Sequence, residues 1–241
     1  MENEAPPRVR RIRLSISNAW LVPGGRPVLI DSGVPGDFDR LIRALRRLGV
    51  APESLAWILH THGHSDHAGC TARLAALSGA KTAVHSWEAD RVRAGHHGTI
   101  HPRDWMARAM HPFLNPEFPP FEPDAFFDAP SSGEEGSLAA FGLPEGRWLH
   151  TPGHTSGSVS FILGGGDAVI GDLFRGSLWR PDRPRAAFFH DDEAATLASI
   201  GRLLATGARG FLPGHFGEMS RAAVERQFGT GVSPGESDRA S

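Results

Sequence analysis

Residues 59–69 read LHTHGHSDHAG and constrain this chain more than any other stretch. They hold His62, His64, Asp66 and His67, all side chains that bind metal ions. The apolar run before them, residues 55–59, predicts a buried strand. His62 and His64 are two apart, so an extended chain aims both the same way. Asp66 and His67 follow once the chain has turned. Gly63 and Ser65 are small enough for the backbone to bend around an ion. Imidazole nitrogen and carboxylate oxygen are the donors that zinc and similar divalent ions prefer. A chance polar loop is the alternative, and the density of donors weighs against it.

Three more candidate ligands come later: His154 in TPGHTSGS, Asp172 in VIGDLF and His215 in LPGHFG. Each sits after, or close to, a short apolar run. With His62-x-His64-x-Asp66-His67, they make a set that resembles the signature of the metallo-β-lactamase superfamily, from about Ile12 to His215. Glyoxalase II and the lactonase-like members are the branches it resembles most. The flavodiiron branch has Glu where this chain has His64. The thiolate-using β-lactamases fit poorly, because the one cysteine, Cys70, lies beside the first motif. Tyr is absent, whereas some lactonases of the superfamily use a tyrosine near the metals.

The resemblance implies an α/β fold, a four-layer αββα sandwich of two mixed β-sheets with outer helices. It implies two divalent metal ions, zinc first, with iron or manganese as alternatives. His62, His64 and His154 would hold one ion, and Asp66, His67 and His215 the other, with Asp172 bridging. Asp66 would also be catalytic, holding or passing a proton. Asp31 in LIDSG is expected to support a metal-binding histidine from behind, or else to be a loop or capping acid. Trp20, Phe174, Trp179 and His190 are expected near the substrate, with packing as the alternative for each.

The implied reaction is hydrolysis of an ester-like bond, thioester or lactone, by a hydroxide generated between two metals. Three alternatives stand beside it. One is a phosphodiesterase or nuclease, which the cluster Arg180, Arg183 and Arg185 would favour. Another is a mononuclear iron dioxygenase acting on a persulfide. The last is a metal-binding protein without catalysis.

The chain of 241 residues, 40% hydrophobic and 22% charged, suits one domain over residues 1–241. Its net charge of −2 and lack of a basic block argue against a nucleic-acid partner. A small-molecule substrate is expected, and oligomeric state stays open. One cysteine forms no internal disulfide, no apolar run is long enough for a membrane span, and residues 1–17 lack a signal-type core. A cytoplasmic protein is the expectation.

Alternation predicts strands at 11–16, 18–22 and 28–30, then a helix over 37–48 that Gly49 stops. A helix is expected at 68–78, with Cys70 buried and inert in its first turn, and a strand at 81–85. His85 and Glu88 are expected in structural roles. Residues 95–146 read as an irregular insertion beside the active site, with a short helix at 104–111. His96, His97, His101 and His111 in it show no ligand spacing and are expected to be exposed or capping. Strands follow at 147–150, 158–163 and 168–171, then a helix at 193–205 with Leu197, Ile200, Leu203 and Leu204 inward. A strand at 210–212 and a helix at 219–228 close the fold. The ordered part is expected to span about 8–228, with flexible termini.

Overall fold

Alternating apolar side chains build the sheets, and each sheet buries both of its faces. The structure is a computed structural model that describes residues 8–114, 117–128 and 135–229. The expected flexible ends, 1–7 and 230–241, lie outside the described residues.

In the first half, β1 (Arg10–Arg13), β2 (Asn18–Val22) and β3 (Val28–Ile30) are antiparallel neighbours. Helix α1 (Phe38–Arg47) then leads to β4 (Trp57–Leu59), and α2 (Ser65–Ala68) and α3 (Thr71–Ser78) to β5 (Lys81–Val84). After α4 (Ala89–Ala94) and α5 (Trp105–Met110), β6 (Ala125–Phe126) completes a sheet of order β1-β2-β3-β4-β5-β6. Strands β3 to β6 run parallel.

In the second half come β7 (Glu135–Ser137), β8 (Arg147–His150), β9 (Val159–Ile162) and β10 (Asp167–Gly171). A separate ribbon pairs β11 (Phe174–Gly176) with β12 (Pro184–Ala186). Then α6 (Glu193–Ala205), β13 (Gly210–Pro213), β14 (Met219–Ser220) and α7 (Arg221–Phe228) end the described chain. The second sheet has order β14-β13-β10-β9-β8-β7 and is also mixed, with β10 parallel to β13.

The layers follow from the period of two. Trp20 and Val22 of β2 and Val28 and Ile30 of β3 meet Trp148, Phe161, Val169 and Leu212 between the sheets. Leu21 and Leu29, one residue out of phase, pack outward against Leu41 and Leu45 of α1 and Leu74 of α3. On the far side, Ile162, Ile170 and Phe211 pack against Ile200 and Leu203 of α6 and Val224 of α7. The expected four-layer αββα sandwich is therefore the observed architecture. No helix among the described residues is long and apolar enough to cross a membrane.

Most boundaries agree with the sequence reading, and the differences have physical causes. In α6 the inward face is Thr196, Ser199, Ile200 and Leu203, and Leu197 is exposed. The Ser199 hydroxyl donates to Pro152 O at 2.8 Å, which turns the polar side of the helix onto the preceding loop. The 95–146 segment is less of an insertion than its composition implies. Its later part supplies β6 and β7, one edge strand for each sheet. Ala125–Phe126 and Glu135–Ser137 are too short to show alternation, so sequence periodicity misses them.

Candidate metal centre

Every proposed ligand sits just beyond a strand end, on one edge of the sandwich. Asp31 follows β3, the His62–His67 turn follows β4, His154 follows β8, Asp172 follows β10 and His215 follows β13. Backbone bonds tie these loops together. Asp31 N–H donates to Leu59 O, Val159 N–H to Thr61 O and Gly214 N–H to Gly171 O. The Asn18 side chain donates to Pro213 O at 3.0 Å, linking the two sheets at the same edge.

Asp31 has φ of +60°, a left-handed conformation that Asp tolerates better than most residues. The turn aims its fully buried carboxylate into the motif. It accepts Thr61 N–H at 2.9 Å, Thr61 Oγ1–H at 2.8 Å and His67 Nδ1–H at 2.9 Å. With Nδ1 so engaged, His67 turns Nε2 towards the centre.

The other imidazoles are oriented in the same manner. Thr61 Oγ1, its proton given to Asp31, accepts from His62 Nδ1 at 3.1 Å. His154 Nδ1 donates to Phe189 O at 2.7 Å, and His215 Nδ1 donates to Ile16 O at 2.7 Å. Their Nε2 atoms point inward. His154 Nε2 lies 3.2 Å from His62 Nε2 and 3.0 Å from His64 Nδ1. Burial holds His62 and His64 well below the ordinary imidazole range and lowers His154 as well. Neutral nitrogens that close, with lone pairs converging, need something electropositive between them.

On the other side of the cluster, His215 Nε2 lies 3.2 Å from Asp66 Oδ2 and 3.1 Å from Asp172 Oδ2. His67 Nε2 and Asp172 Oδ1 are 3.3 Å apart, and both are buried without a satisfied hydrogen bond. Burial alone would raise the two carboxylates, but His67 and His215 hold both Asp66 and Asp172 below the usual range. Conversely, burial opposes protonation of His215, while Asp172 and Asp66 push it up to about 10. The acids therefore demand positive charge where the neutral histidines demand an electrophile. A divalent cation satisfies both, and the donor set fits it. Among the described residues, three groups of side chains could each hold an ion: His62, His64 and His154; His62, His67 and Asp172; Asp66, His67 and His215.

Glu88 braces the centre from beneath. Its fully buried carboxylate accepts Gly63 N–H at 2.9 Å and Gly157 N–H at 3.1 Å, and pairs with Arg91. Gly157 fits because a Cβ there would lie 2.7 Å from Glu88 Cγ. Cys70 is buried, and burial pushes its thiol up to about 12, so the expected inert role agrees with its surroundings.

A cavity of about 620 Å³ opens beside the cluster. His64, Asp66, His154, Asp172 and His215 face it on the polar side. Ile100, Met110, Phe113 and Leu114, from the irregular segment, form one apolar wall. Phe188, Phe189, Phe216, Leu178 and Ile16 form the other.

The residues expected near substrate do not line this cavity. Trp20 is buried between the sheets, with Nε1 donating to Pro213 O at 3.2 Å. Phe174 lies in the core beneath α6 and α7, against Phe211 and Phe228. Trp179 is 90% exposed and His190 is buried, and neither is among the lining residues. Chain position puts Phe174 just after Asp172, yet strand alternation sends Phe174 inward and its neighbour Arg175 into the cavity. His97 departs from its expectation too. It is buried at the cavity wall, with its ring 5.6 Å from that of His64 and its Nδ1 3.4 Å from Ser65 Oγ. His96, His101 and His111 are exposed, as expected.

The model of the Metallo-beta-lactamase superfamily matches residues 12–215. Among curated relatives, the hydroxyacylglutathione hydrolase of Anaeromyxobacter dehalogenans is 44% identical over 73 residues, 30% of this chain and 26% of that protein. A probable metallo-hydrolase of Methanocaldococcus jannaschii is 30% identical, over 70% of this chain and 72% of the relative. The hydroxyacylglutathione hydrolase GloC of Haemophilus influenzae is 32% identical, over 66% of this chain and 67% of the relative. Among solved structures, the B3 metallo-beta-lactamase BLEG-1 superposes with a TM-score of 0.67 at 22% identity, covering 93% of this chain and 100% of that one.

Proposed function

From the premise that this chain belongs to the metallo-beta-lactamase superfamily, we propose that it is a two-metal hydrolase of ester-like bonds, with thioesters as the first substrate class. The observation that supports this most is the paired donor set: three neutral, buried imidazoles facing two ionised carboxylates across one edge of the sandwich. His62, His64 and His154 would hold one divalent ion, and Asp66, His67 and His215 the other. Asp172 stands between them, within 3.1 Å of His215 and 3.8 Å of His154. Zinc suits such nitrogen and oxygen donors best. When bound, such ions supply Lewis acidity and a hydroxide at neutral pH.

The chain's own residues supply the rest. Asp31 and the carbonyls of Phe189 and Ile16 set the tautomers of His67, His154 and His215. Asp66 is held ionised, so it suits binding a cation and accepting a proton from the attacking water at Oδ2. The apolar walls suit an acyl chain, and the cavity of about 620 Å³ leaves room for several carbons. Both sheets supply loops to one centre, which supports a single domain whose 97–114 stretch covers the site.

The thioester assignment leans on the hydroxyacylglutathione hydrolases among the relatives. The phosphodiesterase alternative loses support, because none of Arg180, Arg183 and Arg185 lines the cavity. The test combines elemental analysis of the purified protein with a rate screen over thioester, lactone and phosphodiester substrates. About two metal equivalents with thioesters cleaved fastest is the expected result. One iron with no hydrolysis would overturn the reading in favour of the dioxygenase, and bound metal with no turnover of any class would leave a non-catalytic metal protein.

A further inference from the structure

We propose that the cavity selects substrates with an anionic group, a carboxylate, on an otherwise apolar acyl chain, and that Arg175 is the residue that reads it. The inference deepens the hydrolase reading and rests on it for the reaction, not for the binding. Arg175 is the middle residue of β11. Its neighbours Phe174 and Gly176 are buried on the other side of the strand, so alternation turns the guanidinium into the cavity.

The guanidinium sits over the Phe188 ring, with Phe216 nearby. Its Cζ is 3.6 Å from the centroid of the Phe188 ring and 5.9 Å from that of Phe216. Cation–π contact fixes the plane without neutralising the charge. Nη1 donates to Gly176 O at 3.0 Å. Nη2 has no hydrogen-bond partner among the described residues and keeps accessible surface, whereas Nε is unpartnered but buried. The guanidinium forms no direct ion pair among the described residues, and Asp104 and Asp172 act on it only from a distance.

This arrangement is costly without a ligand. Burial pushes Arg175 down to about 10, still far above neutral pH, so the side chain stays charged. A half-buried cation with an unpartnered Nη group and no directly paired carboxylate is stabilised by an anion that enters beside it. The accessible Nη end of a guanidinium suits a carboxylate, whose charge strengthens the hydrogen bonds it accepts. The surrounding surface specifies the rest of the molecule. Ile16, Phe113 and Leu178 line the same cavity yet are 53%, 87% and 45% exposed. Apolar side chains left open beside a cavity suit an alkyl or aryl portion of a ligand. Ester cleavage at the polar floor with a carboxylate held at Arg175 describes a monothioester of a dicarboxylic acid.

The test uses matched pairs that differ only in charge. The reactive pair is the S-phenyl monothioester of glutaric acid and its primary amide. The inert pair is glutaranilic acid and its primary amide, whose binding to the metal-loaded protein is followed by calorimetry. In the wild type, the acid of each pair is expected to be favoured by roughly 10- to 100-fold, the range of a charged hydrogen-bonded contact. For the reactive pair the preference should lie mainly in KM. In Arg175→Gln the preference should collapse towards one, and Arg175→Lys should restore part of it, since charge returns without the fork. A merely structural arginine would lower both members of a pair together and leave their ratio intact. Equal binding of acid and amide by the wild type, or an unchanged ratio in folded Arg175→Gln, overturns the proposal. If Arg175→Gln fails to fold, the Lys variant decides by the same ratio. Absence of thioester cleavage, with the acid still preferred in calorimetry through Arg175, would sink the hydrolase reading and leave this inference standing.

Discussion

The carboxylate of Glu88 accepts the backbone N–H of Gly63 at 2.9 Å, directly beneath the turn that carries His62 and His64. The same group holds Gly157 N–H at 3.1 Å, on the loop that carries His154. One buried acid thus sets the spacing between two ligand-bearing loops from opposite sheets. Replacing it by Ala leaves two buried N–H groups and the Arg91 guanidinium without their acceptor, a loss of about 3–5 kcal/mol for a broken buried pair. Glu88→Ala is therefore expected to melt well below the wild type and to lose metal from the His62, His64, His154 group first. Thermal unfolding with elemental analysis checks this, and a variant with wild-type melting and full metal content would refute the brace.

Asp172 and Asp31 should separate by mechanism. Asp172 Oδ1 and Oδ2 approach His67, His215 and His154, at the centre of the donor set. Asp31 touches the centre only through His67 and Thr61. Asp31→Ala should reduce kcat/KM or metal affinity by roughly 10–100-fold, as for other supports behind a ligand. Asp172→Ala should cost more, with loss of bound metal. Small and equal effects would show that Asp172 holds no ion.

The exposed Phe113 and the neighbouring Leu114 should set chain-length preference. Both line the cavity, and neither belongs to a core cluster among the described residues. Phe118, by contrast, packs with Ala68, Val84 and Val92, so trimming it damages folding instead. Phe113→Ala with Leu114→Ala is expected to change the ratio of rates for long and short acyl chains by at least about 5-fold, since each lost apolar contact is worth about 1–3 kcal/mol, or about 5- to 150-fold. An unaltered ratio would make 97–114 a structural cap.

His85 offers a pH test away from the ligands. It stacks on His150, with ring centroids 4.5 Å apart, and its Nδ1 accepts Trp87 N–H at 3.2 Å. Burial, then His150, brings it down to about 4. Its folded value lies below its unfolded value of about 6.5. Its contribution is therefore complete above about 6.5 and is lost as pH falls towards 4, where the unfolded chain binds the proton first. In metal-free protein, His85→Gln should flatten the fall in stability between pH 6.5 and 4, measured by urea unfolding across that range. An identical slope in both proteins would show that another group is responsible.

What the sequence by itself determined is the chemistry and the local frame. His62-x-His64-x-Asp66-His67 carries its own geometry, because two-residue spacing and a tight turn are properties of the backbone. The strands at 18–22, 28–30 and 147–150 and the helix at 193–205 were legible for the same reason, since their periods and caps are local. The site's outer part was not. Trp20, Phe174, Trp179 and His190 were reasonable by position in the chain, yet which of them meets the cavity depends on how two sheets and a β11–β12 ribbon face one another. Arg175 and His97 carry no motif, and their relation to the centre exists only once loops far apart in the chain have closed around it. Only the packed fold could decide that, because burial and lining are properties of three-dimensional neighbours, and a chain's order does not list them.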